Sequence, residues 1–540
     1  MKLVKSLLLG SAAGLAAVAG AQAADLPVQK AAPVEYVRVC SAYGVGFFYI
    51  PGTDTCLRVS GRARFEYNVA SARQFSQSPT GFRSQGRINL DARTQTAYGT
   101  LRAFVRYEIS RRTGQFHSGT AIRQGNAEAA TGVDFFGQAQ HQIVLDKAFI
   151  QFAGVTAGRA TSFFDFYAND LGWFGIGGGS DRASTNLLAY TASFGSGWSA
   201  TLSLEDPVER RYPVVTNIGG ATLVAGGTLF SGAAAPIQIF NPITGLPINS
   251  AFVGQQQRNA MPDIVAAVRV DQPWGSAQLS GIIHQISTIG ATIPAGNLFA
   301  GATFTGFRPD TEYGYGIQAG VKINLPMIAP GDLLYLQAVY ARGCIDCVVG
   351  GAWVLGGGTS SQGGFPGTNG RFAFNTADGV FNPLLNEVSL SKEWGAVAAF
   401  LHYWTPQLRS GFQLAYSKVD LPSLGGFFVG GFTNPFFSVG PGVPAAGTFR
   451  TSGNVHDWTM INAAVNLIWS PVRDLDIGVE VSYDRIKLSG GSVSDLNKCG
   501  GLGVIPAGVI APLAAGPQAC PFTTSKEDEW RARLRIQRDF

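Results

Sequence analysis

Alternation restricts this chain more than any other feature. Val59, Gly61, Ala63, Phe65 and Tyr67 share one parity, and Arg58, Ser60, Arg62, Arg64 and Glu66 share the other. The pattern returns at Leu101, Ala103, Val105, Tyr107 and Ile109 against Thr100, Arg102, Phe104, Arg106 and Glu108. It returns again around Ile317–Ile323, Ile461–Trp469 and Leu475–Tyr483. Successive side chains of a strand point to opposite faces, so each stretch reads as an amphipathic β-strand of about ten residues.

No helix competes for a membrane. The one continuous apolar run, Leu7 to Ala19, follows Lys2 and Lys5 and precedes Ala21-Gln22-Ala23. That is the layout of a secretory signal peptide over residues 1–23, with cleavage expected before Ala24; a retained anchor would need a longer apolar core. The charge-free stretch from Cys499 to Cys520 holds Pro506, Pro512 and Pro517 and is no regular helix. Charged residues make up 14 % of the chain, against about 25 % in a typical soluble protein. A formal net charge of +5 supplies no broad basic surface, so no nucleic-acid partner is expected.

A soluble sandwich also alternates, but its strands usually run to about five or six residues. Here the connections also differ in kind. Tyr98-Gly99, Gly195-Ser196-Gly197, 272–276 and 471–474 are tight turns, whereas 206–261 and 343–383 are long links. Short turns at one end and long loops at the other describe a transmembrane antiparallel β-barrel of the Gram-negative outer membrane, facing its lipid. Closure leaves no backbone group unpaired in the bilayer. About 17 segments qualify as strands, one too many for an even barrel. Merging 384–393 with 394–404, or giving 384–393 to the preceding loop, restores about 16 strands, wide enough for an aqueous channel. The layout is then a signal peptide at 1–23, a short N-terminal segment at 24–56 and the barrel at 57–540.

The final strand places Trp530, Ala532, Leu534, Ile536 and Phe540 on one face and Arg531, Arg533, Arg535, Gln537 and Asp539 on the other. Its terminal Phe540 resembles the signal read by the barrel-assembly machinery. Residues 36–61 read YVRVCSAYGVGFFYIPGTDTCLRVSG, and 394–416 contain HYWTPQLRSGFQLAYS. Both stretches resemble the general porins of alphaproteobacteria, and the resemblance covers the mature chain from Ala24 to Phe540. It implies a 16-stranded barrel, a homotrimer, and passive passage of small hydrophilic solutes and ions. The long uncharged loops 207–261 and 343–383 depart from the family pattern.

A channel of this kind needs a polar lumen and a constriction rather than reaction chemistry. Arg58, Arg62, Arg64, Arg87, Arg93, Arg102 and Arg106 share the polar face of the first three strands. They form either one basic wall or a scatter of ion pairs with Glu66, Asp91 and Glu108. The loop after the fifth strand reads RATSFFDFYANDLGWFGIGGGS over 159–180. The resemblance folds it into the barrel as a constriction loop, with Asp165 and Asp170 expected to face the arginines and set a transverse field; an exposed surface loop is the other reading. Phe163, Phe164, Phe166, Tyr167, Trp173 and Phe174 offer a possible aromatic track for a substrate-selective channel on a similar barrel.

Cys40 with Cys56, Cys344 with Cys347 and Cys499 with Cys520 are the most local of 15 possible pairings. An oxidising periplasm favours disulfides. Cys344-Ile-Asp-Cys347 has redox spacing but no βαβ pattern around it. No HExxH, nucleophile elbow or phosphate loop appears, and Gly177-Gly178-Gly179 opens no helix. No enzyme activity, metal or cofactor is expected; His284 and His402 read as wall residues. An adhesin would need a passenger, and an energy-coupled receptor a plug, ahead of the first strand near Leu57.

Overall fold

The computed structural model describes residues 38–71, 79–114, 140–182, 184–212, 214–217, 239–240, 247–248, 252–255, 260–287, 310–350, 377–382, 387–422, 457–489, 493–494 and 523–540. Two compact units divide after Leu57. In the first, a disulfide joins Cys40 and Cys56, Phe47 packs beside it, and Phe48–Tyr49 pairs with Cys56 and Leu57.

The second unit is a closed antiparallel barrel of 16 strands. Its first half comprises β1 (Cys56–Ala70), β2 (Thr80–Thr96), β3 (Gly99–Gly114), β4 (Gln140–Phe152), β5 (Val155–Ala160), β6 (Thr185–Gly195), β7 (Trp198–Glu205) and β8 (Asp263–Gln272). The second half comprises β9 (Gly275–Ile286), β10 (Glu312–Asn324), β11 (Leu333–Arg342), β12 (Lys392–Thr405), β13 (Leu408–Asp420), β14 (Asp457–Val472), β15 (Leu475–Ser489) and β16 (Lys526–Asp539). Each strand pairs with the next, and β16 returns to β1 with Arg62 opposite Asp539 and Phe65 opposite Ile536. Phe540 completes this seam: Gly61 N donates to Phe540 O at 2.8 Å and Phe540 N to Gly61 O at 3.1 Å. A Cβ on Gly61 would sit 2.4 Å from the Phe540 ring, so the seam requires glycine there.

The short connections turn as twisted hairpins do. Ala153 and Gly154 have φ of 48° and 85°, and Ser196 and Gly197 have 48° and 77°. Two successive positive φ values make the type I′ geometry whose twist matches the flanking strands.

Alternation resolves into an inner and an outer face. Glu66, Asn68, Gln85, Glu108, Gln337, Gln413, Asn462 and Glu480 are buried inside, while Phe65, Ile88, Ile109, Leu188, Leu279, Ile317 and Leu414 are exposed outside. The outer face carries two aromatic girdles. Tyr98, Phe194, Trp198, Trp274, Trp404 and Trp469 are exposed beside the short turns. Phe82, Tyr313, Tyr340, Trp394 and Trp530 are exposed near the long-loop ends. Amphipathic rings at both membrane–water boundaries, with aliphatic residues between, mark a lipid-facing surface.

The surplus strand candidate at 384–393 resolves in favour of the loop. Glu387–Leu390 pairs with Gly379–Asn382, which runs parallel to Val214–Asn217, itself paired with Phe252–Gln255. The two long links therefore share a small sheet, and β12 starts at Lys392.

Candidate functional site

The loop after β5 lies inside the barrel, held by side chains on the inner faces of β9–β11 and β13–β15. Ser280 Oγ and Gln318 Nε2 donate to Phe164 O at 2.7 and 2.8 Å. Tyr167 N donates to Gln337 Oε1 at 2.8 Å, and its hydroxyl to Gln413 Oε1 at 2.5 Å. Asn466 Nδ2 donates to Leu171 O at 2.7 Å, and Gly177 N to Asn462 Oδ1 at 3.0 Å. Glu480 accepts the backbone N–H groups of Trp173 and Phe174, each at 2.8 Å. A buried backbone amide without a partner costs about 1–3 kcal/mol. The Gln and Asn side chains spaced along β10–β14 provide those partners.

Trp173 and Phe174 pin the loop's far end to β16. Arg535 lies 4.3 Å from the Trp173 ring, and Arg533 and Arg531 lie 4.1 and 4.5 Å from the Phe174 ring. Phe164, Tyr167, Trp173 and Phe174 are all buried against the wall. They form the loop's anchorage, which leaves the aromatic track of a substrate-selective channel without these four rings.

Arg62, Arg64, Arg87, Arg93, Arg102 and Arg106 of β1–β3 lie together on the facing wall, each with a partner, whereas Arg58 is exposed. Arg62 forks onto Asp539 at 2.5 and 3.0 Å, and Arg64 onto Gln537 at 2.9 and 2.6 Å. Arg87 Nε reaches Glu108 at 2.7 Å. Arg93 and Arg102 share Asp91, with contacts from 2.8 to 3.1 Å. Arg106 donates to Asn89 at 2.8 Å and Asp146 at 3.3 Å. Arg64, Arg83 and Arg535 converge on Glu66 at 3.9, 3.3 and 2.6 Å. The two sequence readings thus merge: ion pairs within a basic wall, with three guanidinia to one carboxylate at Glu66 and two to one at Asp91. Arg62, Arg93, Arg102 and Arg106 keep 20–27 % of their side chains exposed. Phe104 and Phe149 stack at 5.3 Å between Arg102 and Arg106.

The two loop aspartates part company. Asp170 is exposed, and Tyr335 Oη donates to its Oδ2 at 3.1 Å. Asp165 is buried and does not face the arginine strands. Its Oδ2 accepts the Arg182 N–H, its Oδ1 lies 3.9 Å from Arg210, and burial pushes its carboxyl up to about 6 against the pull of Arg210. A carboxylate between Phe164 and Phe166, on a segment packed against the wall, turns toward the buried cations behind the loop. Arg210 also reaches Glu205 at 3.2 Å. Its position comes from the turn Pro207–Arg210, capped by Asp206 accepting Val208 N at 3.0 Å.

Arg83, Glu480, Arg182 and Asp346 stand outside the constriction expected from the sequence, as do Arg531, Arg533 and Arg535. The final strand's arginines stood on its polar face, and only barrel closure brings them beside β1. His284 is buried on the inner wall against Asp263 at 2.7 Å, and His402 bonds Asp332 at 2.7 Å. A disulfide joins Cys344 to Cys347; Cys499 and Cys520 lie outside the described residues. No helix among the described residues is long and apolar enough to cross a membrane, and none of their His, Cys, Asp and Glu groups forms a metal cluster.

A family model described as the porin subfamily matches residues 25–498. The chain belongs to this porin family. The porin is 32 % identical over 329 residues to porin Omp2b of Brucella suis, covering 58 % of this chain and 76 % of the relative. It is 39 % identical over 209 residues to porin Omp2b of Brucella abortus strain 2308, covering 37 % of this chain and just over half, 54 %, of that relative. Among solved structures it is similar to the outer membrane channel DcaP of Acinetobacter baumannii, with a TM-score of 0.49, 13 % identity and coverage of 91 % and 99 % of the two chains. A Salmonella typhi OmpF complex with daunomycin gives a TM-score of 0.39 at 11 % identity, covering 91 % of this chain and 99 % of that one. The porin is an outer-membrane channel of the Gram-negative type, a general porin.

Proposed function

We propose that the porin passes small hydrophilic solutes and ions passively through an eyelet between the arginine wall and the inward loop. Arg62, Arg64, Arg87, Arg93, Arg102 and Arg106 form one side, while Arg531, Arg533 and Arg535 are buried against the loop's Trp173 and Phe174. Asp170 is the exposed carboxylate on the loop side, and Asp165 braces the loop from behind. The observation that carries this reading is the loop's anchorage to β9–β11, across the barrel from the partly exposed arginines of β1–β3. Charges on the two sides create a field across the water path, and groups that line water avoid the cost of burial. Further parts of the reading are a homotrimer, a lipid-facing outer surface, a cleaved signal at 1–23 ahead of a disulfide-clipped segment at 24–56, recognition of Phe540 by the barrel-assembly machinery, and no cofactor.

Liposome swelling with uncharged sugars of increasing size tests the transport mode. Rates that fall smoothly with solute size are expected. Saturable uptake of one sugar, with exclusion of others of equal size, would contradict passive diffusion and favour a substrate-selective channel.

A further inference from the structure

A second inward segment packs against the constriction loop. Residues 343–350 follow β11 and make one turn of helix at Asp346–Val349, closed by the Cys344–Cys347 disulfide. Cys344, Ile345, Cys347, Val348 and Val349 have no exposed surface and join an apolar cluster with Phe164, Trp458 and Met460. The turn grips the loop by polar contacts as well. Gly178 N donates to Val348 O at 2.9 Å. Arg182, fully buried, forms an ion pair with buried Asp346. The turn is itself held in place: Asp378 accepts Ile345 N at 2.9 Å and Tyr212 N at 2.6 Å. Three separate links, after β5, β7 and β11, therefore interlock inside the barrel.

We infer that the Cys344–Cys347 turn is a positioning element of the channel, which keeps the constriction loop against the wall through Asp346–Arg182 and Val348–Gly178. A disulfide across a single turn fixes the local fold that aims the Asp346 carboxylate and the Val348 carbonyl. Breaking a buried ion pair by removing one partner strands the other charge, and that cost favours any loop position where Arg182 meets water. The inference rests on the reading of the loop after β5 as the constriction.

The test is single-channel recording of the full-length porin in planar bilayers, with folding verified by resistance of the barrel to SDS before heating. Asp346→Asn and the pair Cys344→Ser, Cys347→Ser are expected to raise the frequency of brief closures at least threefold and to lower the closing voltage. Open-state conductance and ion selectivity should remain those of the parent. Adding Arg182→Gln to Asp346→Asn should restore closure frequency part of the way, since no charge is then stranded. Folded variants with parental closure frequency and closing voltage would overturn the inference, whatever their loss of thermal stability. Should Asp346→Asn not fold, the cysteine pair decides by the same criterion. A parent protein with no conductance would overturn the channel reading, and this inference with it.

Discussion

At the scale of single residues, function turns on which carboxylates meet water. Asp170 does, and Asp165 does not, although they lie five positions apart in one loop. A unit charge about 10 Å from a permeating ion in water contributes about 0.4 kcal/mol, of opposite sign for a cation and an anion, or roughly fourfold in their permeability ratio. Asp170→Asn should therefore lower the cation-to-anion permeability ratio by about fourfold, measured as the zero-current potential in a salt gradient. Arg102→Ser with Arg106→Ser should raise it. Asp165→Asn should leave it unchanged; a shift equal to that of Asp170→Asn would place Asp165 in the water path.

The buried acids also predict a pH dependence. Burial pushes Asp165 up to about 6 and Asp378 up to about 7. Between the ordinary carboxylate range and those values, the folded chain holds protons that the unfolded chain has released. These two groups therefore favour the folded state as pH falls from about 7 to about 4, and lose that contribution as pH rises through 6 and 7. Asp165→Asn and Asp378→Asn should each flatten the pH dependence of the unfolding midpoint in that window, measured by heat-modifiable mobility. Parallel curves for variant and parent would contradict the assigned environments.

At the scale of elements, the strands were legible because lipid on one side and water on the other force period two. The basic face of β1–β3 was legible for the same reason. The loop's anchorage was not, since its acceptors are single amides and carboxylates on distant strands. Gln337, Asn462 and Glu480 are each ordinary polar-face residues until a backbone N–H lies against them. The run Gly177-Gly178-Gly179 opens no phosphate site. Gly178 has φ of 91°, and a Cβ there would lie 2.5 Å from Ala396 O, so the run marks where the loop backbone presses on β12. Hydrogen bonds to a charged acceptor contribute about 1.5–3 kcal/mol each. Glu480→Gln should loosen the Trp173–Phe174 end and increase open-channel noise several-fold, with the barrel still folded. Noise equal to that of the parent would show that Glu480 is not needed to hold this end of the loop.

At the scale of the whole molecule, low charge and alternation have one cause. One face of each strand meets lipid between two aromatic girdles, and the charges gather on the inner face and the links packed behind it. Sequence parity reached the even strand count by two routes. The long links explain which one the chain takes, because Glu387–Leu390 belongs to their shared sheet. The central claim is that this barrel holds a water-filled channel despite the inner layer of loops. Reconstitution of the purified porin into a planar bilayer tests it most directly. The account predicts stepwise, ohmic conductance increments that close in threes and whose ion preference shifts with the Arg102→Ser, Arg106→Ser pair. A folded, inserted protein that conducts no ions would contradict it.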